Sequence, residues 1–160
     1  MMSAYFFDTS ALKHRYVKSR ISAMVKRAIS DARHEIYISE LTIVELATAF
    51  ADDCINRKVG HKDYDKMYRR FFRDVAKRRV RVRNITQRDF QNARHLLRFA
   101  KVIQRRHLKS ADAIIAVSCR ELAYELKSPI IFYLCDEKLY KTLNSLSAYA
   151  SAVKLHFVRP

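Results

Sequence analysis

The sequence is poor in chain breakers: of 160 residues, one is glycine (Gly60) and two are proline (Pro129 and Pro160). A phosphate-cradling loop needs two or three glycines and a G-x-S-x-G nucleophile elbow needs two, so neither device is available. Few breakers also favour helices joined by short connections. Cysteine is scarce as well. Cys54, Cys119 and Cys135 are odd in number and lack C-x-x-C spacing, which argues against a disulfide framework or zinc knuckle and for buried reduced thiols. No uninterrupted apolar run approaches the roughly 20 residues that cross a bilayer. The first residues carry no basic segment ahead of an apolar one, and Asp8 interrupts the apolar cluster there. A soluble cytoplasmic protein without a membrane partner is therefore expected.

Acid is the scarcer charge, with 16 Asp+Glu against 32 Lys+Arg and a net charge of +16. The excess is concentrated. Between Arg69 and Lys109 fifteen lysines and arginines face two acids, Asp74 and Asp89, a local net of +13. A field of that sign implies a polyanionic partner, nucleic acid first, rather than solubility alone. With 49% hydrophobic residues, the chain is long enough to bury a core as a single domain over 1–160.

The pattern along the chain alternates strand and helix. Residues 4–7 (AYFF) read as a short buried strand, and 9–33 as one or two helices. "EIYIS" (35–39) reads as a second strand, followed by a helix from about Ile43 to Arg57 that Thr42-x-x-Glu45 would open as a capping box. After a turn at Gly60, 62–78 reads as a helix in which Tyr64, Met67, Tyr68, Phe71 and Phe72 have core spacing. "RVRVRN" (79–84) alternates strictly and reads as an edge strand with valines inward and Arg81 and Arg83 in water. Thr86 then caps a helix whose apolar side is Phe90, Ala93, Leu97, Ala100 and Ile103. Beside it Arg94, Arg98, Lys101 and Arg105 form a basic stripe at i, i+4, i+7 and i+11. Ser110 caps a further helix, 129–135 is a continuous apolar strand, a helix follows Asp136 to about Tyr149, and 152–158 closes the sheet. Such alternation predicts a parallel α/β sheet.

Four acids stand where strands end or helices begin: Asp8, Glu45, Asp112 and Asp136. In a parallel sheet those ends share one edge, where ligands bind. Each acid also has an ordinary local explanation, as an N-cap (Asp8, Asp136), a capping-box member (Glu45) or a first-turn acid (Asp112). Gathering all four is another matter. Two carboxylates ~4 Å apart repel by about 1 kcal/mol in water and about 4 at an effective dielectric of 20. Bound cations, shared protons or basic neighbours must offset that. Oxygen donors without histidine pairs suit a hard cation, Mg²⁺ or Mn²⁺, and such an ion beside a basic surface points to phosphodiester chemistry.

These residues resemble the PIN-domain nucleases, in particular the VapC-type toxins of toxin–antitoxin pairs. "YFFDTSAL" is similar to the opening strand and first acid of that family, "ISELTIVELATA" to its second-acid helix with Glu45 in place, "LKSADAIIAVSCREL" to the third-acid segment at Asp112, and "IIFYLCDEKLYKTL" to the strand and fourth acid, Asp136. The resemblance implies a three-layer α/β/α fold around about five parallel strands, Mg²⁺- or Mn²⁺-dependent endoribonuclease activity, a homodimer and an antitoxin partner. It implies that Asp8, Glu45, Asp112 and Asp136 hold the metal, with Ser10 supporting. RNA would follow the stripe of Arg94, Arg98, Lys101 and Arg105, extended by Arg81 and Arg83. One departure is Leu134, which stands where many members carry Thr or Ser. Two other readings compete. A non-catalytic RNA- or protein-binding module is favoured by Leu134 and opposed by the survival of four like charges. A dehalogenase-like phosphatase needs a second acid two residues after the first, where Ser10 stands.

Overall fold

The computed structural model describes residues 3–56, 58–146, 149 and 151–159. Five strands, β1 (Ser3–Phe7), β2 (His34–Ser39), β3 (Arg81–Arg83), β4 (Ile130–Leu134) and β5 (Val153–Phe157), form one sheet in the order β3-β2-β1-β4-β5. Every pair is parallel, with Tyr5 opposite Ile36 on one side and Ile131 on the other. Parallel neighbours need long crossovers, and these supply the helices α1 (Thr9–Leu12), α2 (Ser22–Ser30), α3 (Glu40–Ile55), α4 (His61–Ala76), α5 (Gln87–Arg98), α6 (Ser110–Leu126) and α7 (Glu137–Asn144). The strand order reverses between β1 and β4.

Phe6 and Phe7 are both fully buried although adjacent, because successive side chains leave a strand on opposite faces. Phe7 joins Leu12, Val25, Leu46, Phe50 and Phe71 under α1–α4, whereas Phe6 joins Leu96, Ile115, Phe132 and Leu143 under α5–α7. Each such burial stabilises by about 1.5–3 kcal/mol. The sheet is thus the middle of three layers, the expected α/β/α sandwich. No helix among the described residues is long and apolar enough to cross a membrane.

Three local expectations are corrected. The helix expected from Ile43 begins at Glu40 with Ser39 as its N-cap, so Thr42 and Glu45 form no capping box. Thr42 is instead buried, its hydroxyl without a hydrogen-bond partner among the described residues. The apolar side expected for α5 is rotated: Ala93, Leu96 and Ala100 are buried with Asp89, while Phe90 (55%) and Ile103 (60%) are exposed. Two causes act. Thr86 and Asp89 form a reciprocal capping box that draws Asp89 inward, and a π turn at Phe99–Ile103 inserts a residue at the far end. Of the helix expected to reach Tyr149, α7 covers Glu137–Asn144; residues 147, 148 and 150 lie outside those described.

The edge position of β3 is as expected, but Arg83 does not face water. Its side chain is 8% exposed, and its guanidinium donates to Asp89 (2.9 Å), Ser118 (3.1 Å) and Glu125 (2.7 Å). Arg81 lies 2.8 Å from Glu35 and 5.8 Å over the Tyr37 ring. Truncating Arg83 to Ala strands the fully buried Asp89 carboxylate, and breaking such a pair from one side costs about 3–5 kcal/mol. The urea midpoint of Arg83→Ala should fall accordingly. A midpoint equal to that of the parent would mean that Asp89 does not depend on this partner.

Candidate active site

The reversal of strand order puts the carboxyl ends of β1 and β4 side by side, and the four acids of the sequence line one cleft there, of about 520 Å³. Asp8 follows β1 and caps α1. Its carboxylate accepts from the Ser10 amide (3.0 Å) and from the Ser10 hydroxyl. The Ser10 hydroxyl in turn accepts from the Cys135 amide at 2.9 Å, and the Asp8 amide donates to the Tyr133 carbonyl at 2.9 Å. The ends of the two central strands are therefore fastened through Asp8 and Ser10. Asp136 caps α7, accepting from the Leu139 amide at 2.9 Å. Both capping explanations thus hold, and they hold at the cleft.

Glu45 has no such excuse. It stands in the second turn of α3, past the helix start, and its carboxylate accepts from the Thr9 hydroxyl at 2.6 Å. Asp112, in the first turn of α6, is held by no hydrogen bond from the side chains of the described residues. Burial pushes the Asp8 carboxyl up to about 6, with the two Ser10 bonds opposing and Glu45 adding to the rise. Asp112 is also pushed up to about 6, first by burial and then by Asp8; Lys109 opposes this, and Glu45 and Asp136 reinforce it. The electrostatic coupling runs through all four acids.

As the side chains stand, no three acids, histidines or cysteines among the described residues close around a single point as metal ligands would. The donor set is nonetheless all oxygen, mutually repelling and open to solvent along one wall, which fits a hard divalent cation. Two acids adjoining these segments are engaged elsewhere, Glu40 accepting from the Ile85 amide at 3.2 Å and Glu137 pairing with Lys141 at 2.6 Å, while Asp52 lines the cleft beside the four. Leu134 is fully buried in the core beneath α6 and α7. On this side of the cleft the polar contact is made by the Cys135 amide rather than a hydroxyl.

Among the polar cleft residues that sequence reading missed are Thr9, Lys13, Thr48, Asp52 and Lys109. Lys13 is fixed by a 2.7 Å bridge to the buried Asp53. For Thr9, Lys13 and Lys109, only their position just after β1 and just before Asp112 could have signalled them, and Thr48 and Asp52 follow Glu45 along α3. Arg94, Arg98, Lys101 and Arg105 are all exposed, on α5, its π turn and the residue beyond, where Arg105 is left-handed (φ 50). None of the four lines the cleft, nor do Arg81 and Arg83.

A five-stranded parallel α/β/α sandwich with carboxylates gathered at its switch point defines the class of the molecule. A PIN domain matches residues 5–142, and the chain belongs to the PIN domain family. No curated protein matches it by sequence. Among solved structures, it is similar to a chain of FitAcB from Neisseria gonorrhoeae (TM-score 0.61, 15% identity, 96% of each chain covered). It is similar also to a chain of VapBC2 from Rickettsia felis bound to a promoter DNA fragment (0.60, 12%, 96% of this chain and 98% of that). A third is from VapBC-5, a toxin–antitoxin system of Mycobacterium tuberculosis (0.59, 16%, 98% and 99%).

Proposed function

We propose that the chain is a divalent-metal-dependent endoribonuclease and the toxin of a VapC-type toxin–antitoxin pair. The observation that carries the reading is the cleft at the β1/β4 switch, which four carboxylates distant in sequence line together and where two of them are driven up to about 6. Family membership supports nuclease chemistry, since PIN domains are generally nucleases. The similar structures are of VapBC and FitAB-type complexes, which supports an antitoxin partner. Exposed Phe99, Val102 and Ile103 offer an apolar surface for that partner or for a second copy in a homodimer.

Asp8, Glu45, Asp112 and Asp136 would hold Mg²⁺ or Mn²⁺, which supplies Lewis-acid polarisation of a phosphoryl oxygen and acidifies water at neutral pH. The Ser10 hydroxyl and amide fix the Asp8 carboxylate, and the Leu139 amide fixes that of Asp136. Lys109, exposed at the rim, lowers the negative potential that an approaching phosphate meets. The exposed stripe of Arg94, Arg98, Lys101 and Arg105 would carry the rest of the RNA backbone through counterion release. Arg81 and Arg83 are spent on acids of the protein, so their share in that path is the smaller.

A second reading, a PIN-like module that binds RNA or protein without cutting, draws on the spacing of the acids and on buried Leu134. One experiment separates the two. Labelled single-stranded RNA should be cut by the purified chain in Mn²⁺ and left whole in EDTA. Tight binding with no cleavage in Mn²⁺ would select the module.

A further inference from the structure

We infer that Thr9 is a positioning residue for Glu45, and that the metal affinity of the cleft depends on its hydroxyl. The inference rests on the metal-site reading above. Its basis is the difference in how the four carboxylates are held. Asp8 and Asp136 sit at helix N-termini, where the first amides have no intrahelical partner and are available to a short side chain. Glu45 cannot use that device. It is the sixth residue of α3, beyond the unpaired amides, and the amides around it are consumed by the helix ladder. Its longer side chain has more freedom than an aspartate's, and among the described residues the one hydrogen bond that arrests it comes from Thr9, 36 residues earlier in the chain.

The geometry suits the task. Thr9 opens α1 directly after Asp8, so a bond from its hydroxyl sets Glu45 relative to Asp8, with which it is electrostatically coupled. At 2.6 Å the contact has the length of a hydroxyl donating to an ionised carboxylate. It engages Oε2 and leaves Oε1 without a hydrogen bond among the described residues, with oxygen to offer an ion. The chain thus spends two consecutive hydroxyls on two different acids, Thr9 on Glu45 and Ser10 on Asp8. A hydroxyl that merely stapled α1 to α3 would have no need of a carboxylate at the cleft as its acceptor.

The test uses Thr9→Val, which keeps the shape and removes the donor, and Thr9→Ser, which keeps the donor. Mn²⁺ affinity is measured by calorimetric titration of the full chain, and the metal-free melting midpoint is recorded separately. Thr9→Val should bind Mn²⁺ roughly 10- to 100-fold more weakly, the range found when a partner of a metal ligand is lost. Thr9→Ser should stay within about threefold of the parent on the same scale. Unchanged affinity in Thr9→Val overturns the inference, and so does equal weakening in Thr9→Ser, which would mark a packing role. Glu45→Gln separates this from the underlying reading. If Glu45→Gln weakens Mn²⁺ binding and Thr9→Val does not, only the role of Thr9 falls; if neither does, the metal site falls with it.

Discussion

An Asp112→Asn chain is expected to bind RNA and fail to cut it. Asp112 is the acid on which the field of the other three converges, and among the described residues it is the one of the four that no side-chain hydrogen bond restrains. It is therefore the carboxylate best able to adjust to an arriving ion. Asparagine keeps the shape, withdraws the charge and offers a poorer ligand to a hard cation. Loss of a residue that merely supports a metal ligand costs roughly 10- to 100-fold, so loss of a ligand should cost at least about 100-fold in cleavage rate. Binding should hold or tighten, because one negative charge facing the phosphates is gone. RNA cleavage by Asp112→Asn in EDTA would end the metal-nuclease account.

Mn²⁺ should raise the melting midpoint at pH 7.5 and lose that effect as the pH falls through 6 towards 5. The sign follows from the carboxyls of Asp8 and Asp112, which rise from 3.8 to about 6 on folding. Between those values the folded chain holds more protons than the unfolded one, so without metal these two groups make the fold less stable as the pH rises through that window. Above it both are charged, the repulsion is fully present, and an ion has the most to relieve. Below it protons occupy the same oxygens and compete the ion away. At 100 times its dissociation constant a ligand adds about 2.7 kcal/mol. For a domain of this size that corresponds to about 5–10 °C. Equal shifts at pH 5 and 7.5 would show that manganese binds somewhere other than these carboxylates.

The fold was legible where periodicity was strong and local. The run of Tyr5, Phe6 and Phe7 into Asp8 announced a strand ending at a ligand edge, and the matching pattern before Asp136 announced a second. The convergence of these acids followed from the topology of parallel sheets alone. Helix starts were harder, because Ser39 and Thr42 are both plausible caps, and the choice is made by where β2 ends. The inward face of α5 was hidden for another reason. Its rotation depends on the capping box that draws Asp89 inward and on a π turn, and neither leaves a periodic trace. The Thr9–Glu45 bond joins residues far apart in the chain, so no spacing rule could reveal it.

The strand at the middle of the sheet pairs on one side with a neighbour that begins only at Ile130, so most of the fold is synthesised between the two. Ser10 must wait for the amide of Cys135, and the Asp8 amide for the carbonyl of Tyr133. A nascent chain can therefore hold three of its four cleft carboxylates with no second wall to set them against. Assembly of the pocket is postponed until Ile130–Leu134 has been synthesised, and the order of the strands serves as a built-in delay.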